Sequence, residues 1–336
     1  MLHTKKNSRA ILNIILFLIL AALVLICLCA GKYSVSAADC LRILSGGGAD
    51  IDPMDANVVL RIRLPRVIAA VITGGALALS GAAYQGIFKN PLVSPEFLGV
   101  SSGACVGAAV AILFAFSAAA IQISAFAGGM IAVGLTVLIP RFIRSDSNLM
   151  LVLSGIIVSG AMSSVLGFIK YIADPDTQLA AITYWQMGSF AYVDMRNLLA
   201  ILPFVVIAAA VLIAAAWWIN ILSLGEAEAK ALGANIRLIR GICIVCATVL
   251  TAGTVCISGT IGWVGLVIPH LGRMLAGNDN TRLLPAAGLG GGIFLLLVDT
   301  ATRIIGPAEM PISILTGIIG APFYAWLLYR QRNRLR

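Results

Sequence analysis

The stretch "RIRLPRVIAAVITGGALALSGAAY", residues 61–84, decides how the whole chain is read. Three arginines, Arg61, Arg63 and Arg66, stand directly before an apolar run that holds no charged residue. A helix needs about 20 such residues to cross a bilayer. The run also carries Gly74, Gly75 and Gly81, small residues that let helices approach closely in lipid. Runs of this kind recur along the chain. Its 336 residues are 60% hydrophobic and 11% charged, with mean hydropathy +1.01. A soluble domain carries about 25% charged residues. A chain this apolar cannot cover itself with polar surface, so lipid must solvate it. The class is an all-α polytopic membrane protein. The runs are too long and continuous for a β-barrel.

Outward from that stretch, ten candidate spans follow: 10–31, 67–88, 96–117, 120–140, 149–170, 197–219, 241–259, 261–276, 283–303 and 310–329. The ends of the seventh and eighth are the least defined, since "CISGTIGWVGLVIPH" is short, Gly-rich and interrupted by Pro269, which allows a broken or re-entrant segment. The basic flank Lys5, Lys6 and Arg9 and the small residues of "SVSAA" resemble a secretory signal. The apolar core after them is longer than the 7–15 residues or so of a signal peptide, so 10–31 is expected to be an uncleaved first helix. Ten spans put both termini on one side. With the N-terminus cytoplasmic, fifteen Lys and Arg fall inside and eight outside, which accounts for all 23. That bias favours cytoplasmic N- and C-termini. Arg61, Arg63 and Arg66 oppose it and call for a separate explanation.

The composition also excludes functions. No acidic residue is expected at mid-span, Asp299 coming nearest, a few residues from a helix end. Ion-coupled carriers bury ionisable groups near the midplane, and intramembrane enzymes need a nucleophile–base pair or ligand cluster there. No G-x-x-x-x-G-K-[ST] occurs, so any ATP must be held by a partner. Of the seven cysteines, Cys243 and Cys246 have C-x-x-C spacing but sit inside an apolar run without a companion pair, so no metal site is expected. The net charge of +9 lies scattered over loops and termini, which fits anionic lipid and no nucleic acid. The rows Gly99/Gly103/Gly107 and Gly288/Gly292, with Gly155 and Gly160, are read as packing devices or smooth passage walls. His270, after Pro269, is read as a structural hydrogen-bonding residue.

One loop stands apart. "ILSLGEAEAKALGANIRLIR", residues 221–240, contains the strong helix former "EAEAKAL" with Glu226 four residues before Lys230. Gly233 can end that helix and "NIRLIR" can start another. Two short helices meeting at a sharp turn could enter a groove on another protein, or form an ordinary connector.

Four stretches together carry a resemblance: "RLPRVIAAVITGGALALSGAAYQGIFKNPLVSPEFLGVSSGA" (63–104), "LGEAEAKALGA" (224–234), "GTIGWVGLVIPHLGRMLAGNDNTRLLP" (259–285) and "PAEMPISILTGIIGAPFYAWLL" (307–328). From about residue 55 onward the chain resembles the permease subunit of ferric-siderophore/cobalamin ATP-binding-cassette (ABC) importers, the FecCD-like class. The resemblance implies a type II ABC importer permease fold over a single domain, 1–336, in the cytoplasmic (inner) membrane. It implies these partners: a second permease subunit (a homodimer, or a close heterodimer), two cytoplasmic ATPase subunits that hold ATP and Mg, and an extracytoplasmic substrate-binding protein, periplasmic or lipid-anchored. No cofactor or metal belongs to the chain itself. Through the family, Leu224, Gly225, Glu226, Ala229, Leu232, Gly233 and Ala234 match the coupling loop that docks on the ATPase. Asn90 and Leu92 match a cytoplasmic constriction, although Asn90-Pro91 is also a plain helix-ending turn. Ser145, Asp146, Ser147 and Asn148 lie where the other inner gate belongs. Arg63, Arg66 and Arg303 match basic positions that receive acidic residues of the binding protein, whereas Arg61 lacks a match and suits a lipid headgroup.

The implied activity is alternating-access import of a ferric siderophore, cobalamin or haem complex, without chemical change, along a passage lined near 96–107 and 149–170. A secondary carrier or channel is disfavoured by the missing midplane charge. A membrane scaffold is disfavoured by the coupling loop.

Overall fold

The computed structural model describes residues 2–47, 51–144, 147–305 and 309–332. Among them the chain is helical and has no strand. In chain order the helices are α1 (Leu2–Cys29), α2 (Ala37–Leu44), α3 (Pro53–Asn57), α4 (Leu64–Phe88), α5 (Val100–Leu113), α6 (Ala118–Phe142), α7 (Asn148–Ile172), α8 (Gln178–Met187), α9 (Met195–Ala214), α10 (Ala216–Leu224), α11 (Glu226–Ala231), α12 (Ile236–Ser258), α13 (Val264–Ala276), α14 (Asn280–Ile304) and α15 (Ile312–Arg332). A π-helical turn, Val58–Arg63, runs into α4, and a 3₁₀ turn, Pro95–Leu98, precedes α5.

Each of the ten expected spans falls on a helix. Seven helical stretches are long and apolar enough to cross a membrane, while Val100–Leu113, Val264–Ala276 and Ile312–Leu327 are shorter. The physical reason is visible at two of the short ones. After α4 the chain stops at Lys89, in left-handed backbone (φ +52°), because Asn90-Pro91 cannot prolong the helix. It then turns back into the protein as non-helical chain. Non-helical backbone also separates α12 from α13, with Gly259 at φ +70° and Trp263 at φ +72°. The break expected in "CISGTIGWVGLVIPH" is therefore real, at 259–263.

The core is built around α4, of whose 25 residues twenty are buried. Pro65 sits in its first turn, where no N–H is needed. α14 crosses it antiparallel at a glycine pair: a Cβ on Gly74 would stand 2.1 Å from the Gly291 carbonyl oxygen. α13 meets it at Gly81, where a Cβ would stand 1.9 Å from the Gly265 oxygen. α12 lies along it through polar contacts, with Ser80 Oγ donating to the Ala247 carbonyl at 3.0 Å and Tyr84 hydroxyl 3.2 Å from Thr248 Oγ1. α5 and α6 repeat the device at Gly103 and Gly107, against the carbonyls of Gly128 and Ser124. Most of the expected glycine rows are thus close helix contacts. Gly160 and Gly288 are different, with nothing within 4 Å of a Cβ at either.

One expectation is corrected. Residue 96 reads in sequence as the end of a span. In the structure Pro95 lies against Gly265, which itself contacts the Leu77 carbonyl halfway along α4. Glu96 therefore sits near mid-depth, brought there by the non-helical return 89–94 that span counting does not see. Such backbone is tolerated at that depth where protein encloses it.

Candidate coupling, gating and outer-face sites

One end of α4 carries the expected coupling module. Ser223 Oγ donates to the Gly86 carbonyl at 3.2 Å, and Asn220 Nδ2 donates to Asp279 Oδ1 at 2.7 Å. Asn220 Oδ1 in turn accepts from the Asn280 backbone N–H at 2.8 Å. These bonds tie α10 to α4 and α14. Gly225, at φ +152°, breaks α10 from α11. α11 ends as its sequence suggested: Gly233 at φ +77° donates to the Lys230 carbonyl, and Ala234 donates to the Ala229 carbonyl at 3.0 Å. This is a Schellman cap, which needs a left-handed residue at that place. Ala229 and Ala234 are buried with Ile221, Leu222 and Ile236 in a small core of their own. Glu226 pairs with Arg240 at 2.8 Å, not with Lys230. The second helix of the expected short pair is also not short. It is the first turn of the 23-residue α12, capped by Asn235, whose side chain accepts from the Leu238 N–H. Leu224 and Leu232 are left 64% and 58% exposed, a hydrophobic edge on an otherwise packed module.

The expected gate residues gather at the same end. Asn90 and Leu92 are exposed, and Asn90 Oδ1 accepts from the Leu92 N–H at 2.9 Å. Ser147 Oγ caps α7 by accepting from the Leu149 N–H, and Asn148 Nδ2 donates to the Ile87 carbonyl at 3.5 Å. The start of α7 therefore leans on the last turn of α4, three residues before Asn90. Ser145 and Asp146 lie outside the described residues.

The other end of α4, roughly 37 Å away by helix rise, holds the arginines. Their geometry corrects the idea of a displayed basic patch. Arg63, Arg66 and Arg303 are only 4%, 4% and 8% exposed. Arg63 donates to the carbonyls of Leu28, Cys29 and Tyr33, closing the C-terminal end of α1. Arg66 Nε donates to Asp299 Oδ1 at 2.8 Å, and its Nη1 reaches both Glu309 oxygens at 2.9 and 2.8 Å. Arg303 Nε lies 3.4 Å from the other Asp299 oxygen, and its Nη2 donates to the Cys27 carbonyl and Thr300. Buried guanidinium groups need such partners, and the chain supplies them itself. Arg61, one turn away, is exposed. Beside Arg63, burial first and a hydrogen bond with Cys29 second push the Cys40 thiol up to about 11, so it is neutral near pH 7.

Sequence reasoning missed Asp299 and Glu309 as partners. One signal was available: Asp299 and Arg303 stand four apart on a helix, the spacing of a side-chain pair. Glu309, across a break in the helices, had none.

The FecCD transport family matches residues 18–330. The chain belongs to the FecCD transport family. The molybdate import system permease protein MolB of Haemophilus influenzae is 41% identical over 320 residues, covering 95% of each chain. A permease protein of Helicobacter pylori named for an iron chelatin transport system is 42% identical over 276 residues, covering 82% of this chain and 83% of its own. A solved structure described as a metal-chelate type ABC transporter, in an inward-facing conformation, superposes with a TM-score of 0.86 at 40% identity, covering 95% of this chain and 98% of its own. The residues matched to a coupling loop and a gate lie at one end of α4, and the buried arginines at the other.

Proposed function

We propose that this chain, a multi-pass membrane protein and an ABC importer permease subunit, works as half of a dimeric passage in the cytoplasmic membrane. Two ATPase subunits drive it and an extracytoplasmic binding protein loads it. The coupling module carries this reading. It is a short helix with its own core, a Schellman cap and two exposed leucines, anchored on α4 and α14. Nothing in a simple connector needs that construction, and docking on an ATPase uses all of it. α1 reaches the arginine cluster with its C-terminal end, and α15 leaves it from Glu309. The start of α1 and the end of α15 are therefore directed toward the coupling module, which supports the reading of ten spans with cytoplasmic termini.

The cargo we infer is a metal chelate, a ferric siderophore before cobalamin or haem, in line with the iron chelatin relative and the metal-chelate structure. The molybdate relative supports a second cargo reading, a free oxoanion. The arginine cluster, buried and paired with Asp299 and Glu309 within the chain, is assigned to holding the outer surface in shape beneath the binding protein. Glu309, with its side chain 39% exposed, is the member of that cluster which a partner can reach. The test is reconstitution with the ATPase and binding-protein subunits in liposomes. Vanadate-sensitive uptake of radiolabelled ferric chelate is the expected result. Uptake that proceeds without any ATPase would overturn the reading in favour of a secondary carrier.

A further inference from the structure

We propose that Glu96 and the hydroxyl groups around it form a cation-accepting niche in the passage wall, which takes a positively charged or N–H-rich group of the cargo and turns away free oxoanions. This rests on the importer reading and narrows its cargo class. The niche is a cavity of about 250 Å³ lined by Glu96, Ser101, Ser102, Cys105, Ser163 and Gln186, with Thr260 at its edge. A second cavity of similar size, walled by Leu77, Val255, Ile261 and Trp263, adjoins it at Glu96. Glu96 is exposed beside the buried Pro95 and lines both cavities, so at mid-depth its exposure is to this interior space. Among the described residues its carboxylate has no hydrogen-bond or ion-pair partner.

An ionisable group at that depth is costly and marks a functional position by default. Its surroundings say what it suits. An ionised carboxylate only accepts hydrogen bonds, and serine and threonine hydroxyls turn to suit their ligand. Lys170 is the ammonium nearby. It donates to Gln186 Oε1 at 2.7 Å and so stands behind that amide, not in the wall. With Glu96 ionised, the charge that the cavity presents is negative. A tetrahedral oxoanion would meet like charge, whereas an ammonium or amide N–H would find acceptors on three sides. The wall consists of α5, α7 and α8 with the break between α12 and α13, near the segments 96–107 and 149–170 expected to line the passage.

Cys105, which lines the niche, is a reporter already in place. In the full complex, with the other six cysteines replaced, Cys105 is labelled by a cationic and by an anionic methanethiosulfonate. Glu96→Gln should lower the cation-to-anion rate ratio about 25-fold, since one unit charge a few ångströms away in a wet cavity moves each reagent's rate about fivefold, in opposite directions. Lys170→Gln should raise it, and Glu96→Asp should preserve it. An unchanged ratio in Glu96→Gln, or a Cys105 that neither reagent labels, overturns the proposal. A second arm follows ATP-driven uptake of cationic ferrioxamine B and of molybdate. Glu96→Gln should shift preference toward molybdate, and an unshifted preference overturns the selecting role. A wild-type complex that imports neither probe excludes these two cargoes, and the thiol ratio still decides whether the niche is acidic.

Discussion

Asp299→Ala is the most direct test of how the outer end is held. Asp299 is fully buried and accepts from Arg66 at 2.8 Å, with Arg303 3.4 Å away on its other oxygen. Removing it leaves two buried guanidinium groups side by side, with Glu309 alone to offset them. Removing one partner of a buried ion pair costs about 3–5 kcal/mol, because the surviving charge stays desolvated. An exposed pair would cost under about 1 kcal/mol. The two cases are far enough apart to separate by unfolding in mixed detergent micelles, followed by the fluorescence of the five tryptophans. The loss should fall in the buried range. Adding Arg303→Met should recover much of it, since the pair is then replaced by apolar packing and its charge imbalance is gone. A single variant that loses less than about 1 kcal/mol, or a double variant that loses the sum of both, would refute the reasoning.

Three further outcomes follow. Gly233→Val keeps space for its side chain, since nothing lies within 4 Å of a Cβ there, but strains the left-handed backbone by roughly 1–2 kcal/mol. It should leave the protein inserted and ATP hydrolysis running while uptake falls, and normal uptake would remove the coupling role. Cysteines at position 90 of two protomers should cross-link in at least one nucleotide state, because a constriction must close there; if none forms in any state, Asn90 is only the turn residue that its bond to Leu92 shows. Glu309→Gln should change the affinity for the loaded binding protein with little loss of stability, whereas Arg66→Glu should destabilise the permease itself. Equal docking in Glu309→Gln and wild type at low salt would show that no part of the cluster contacts the partner.

The fold was legible in sequence to the extent that apolar length, glycine and proline speak for themselves. Gly233 predicted its cap correctly because a left-handed C′ position is a local requirement. Asn90-Pro91 likewise marked the end of α4. The arginines read as exposed because charge near a span end normally faces water or headgroups. Whether a guanidinium turns inward depends on what lies across from it, and Glu309 is 243 residues away from Arg66 along the chain. Glu96 was misplaced for a related reason. Hydropathy counts residues along a helix, and no helix leads to it. Its depth follows from Pro95 meeting Gly265, a contact between two helix breaks. The missing midplane charge that weighed against an ion-coupled carrier is therefore not missing, and the distinction rests on the family match, with the coupling module proposed beside it.

These sites share one helix. α4 touches the outer cluster at Arg66, the second cavity at Leu77, the candidate gate at Ile87 and the candidate coupling module at Gly86. It is also the helix least able to bend or slide. Its backbone lies directly against those of α14 and α13 at Gly74 and Gly81, where even a methyl group would collide. Close-packed contacts of that kind do not deform gradually. Motion that opens a passage must then occur in elements around α4 rather than within the seam. α7 fits that requirement. Its first turn leans on α4, yet Leu153, Ile157, Gly160, Ser164, Phe168 and Tyr171 leave a continuous exposed stripe along its length. Ser163 and Leu166, off that stripe, line the niche beside Glu96. A small rotation of α7 against a fixed α4 would change the stripe, the gate and the niche together, which is what a step driven from the coupling end requires.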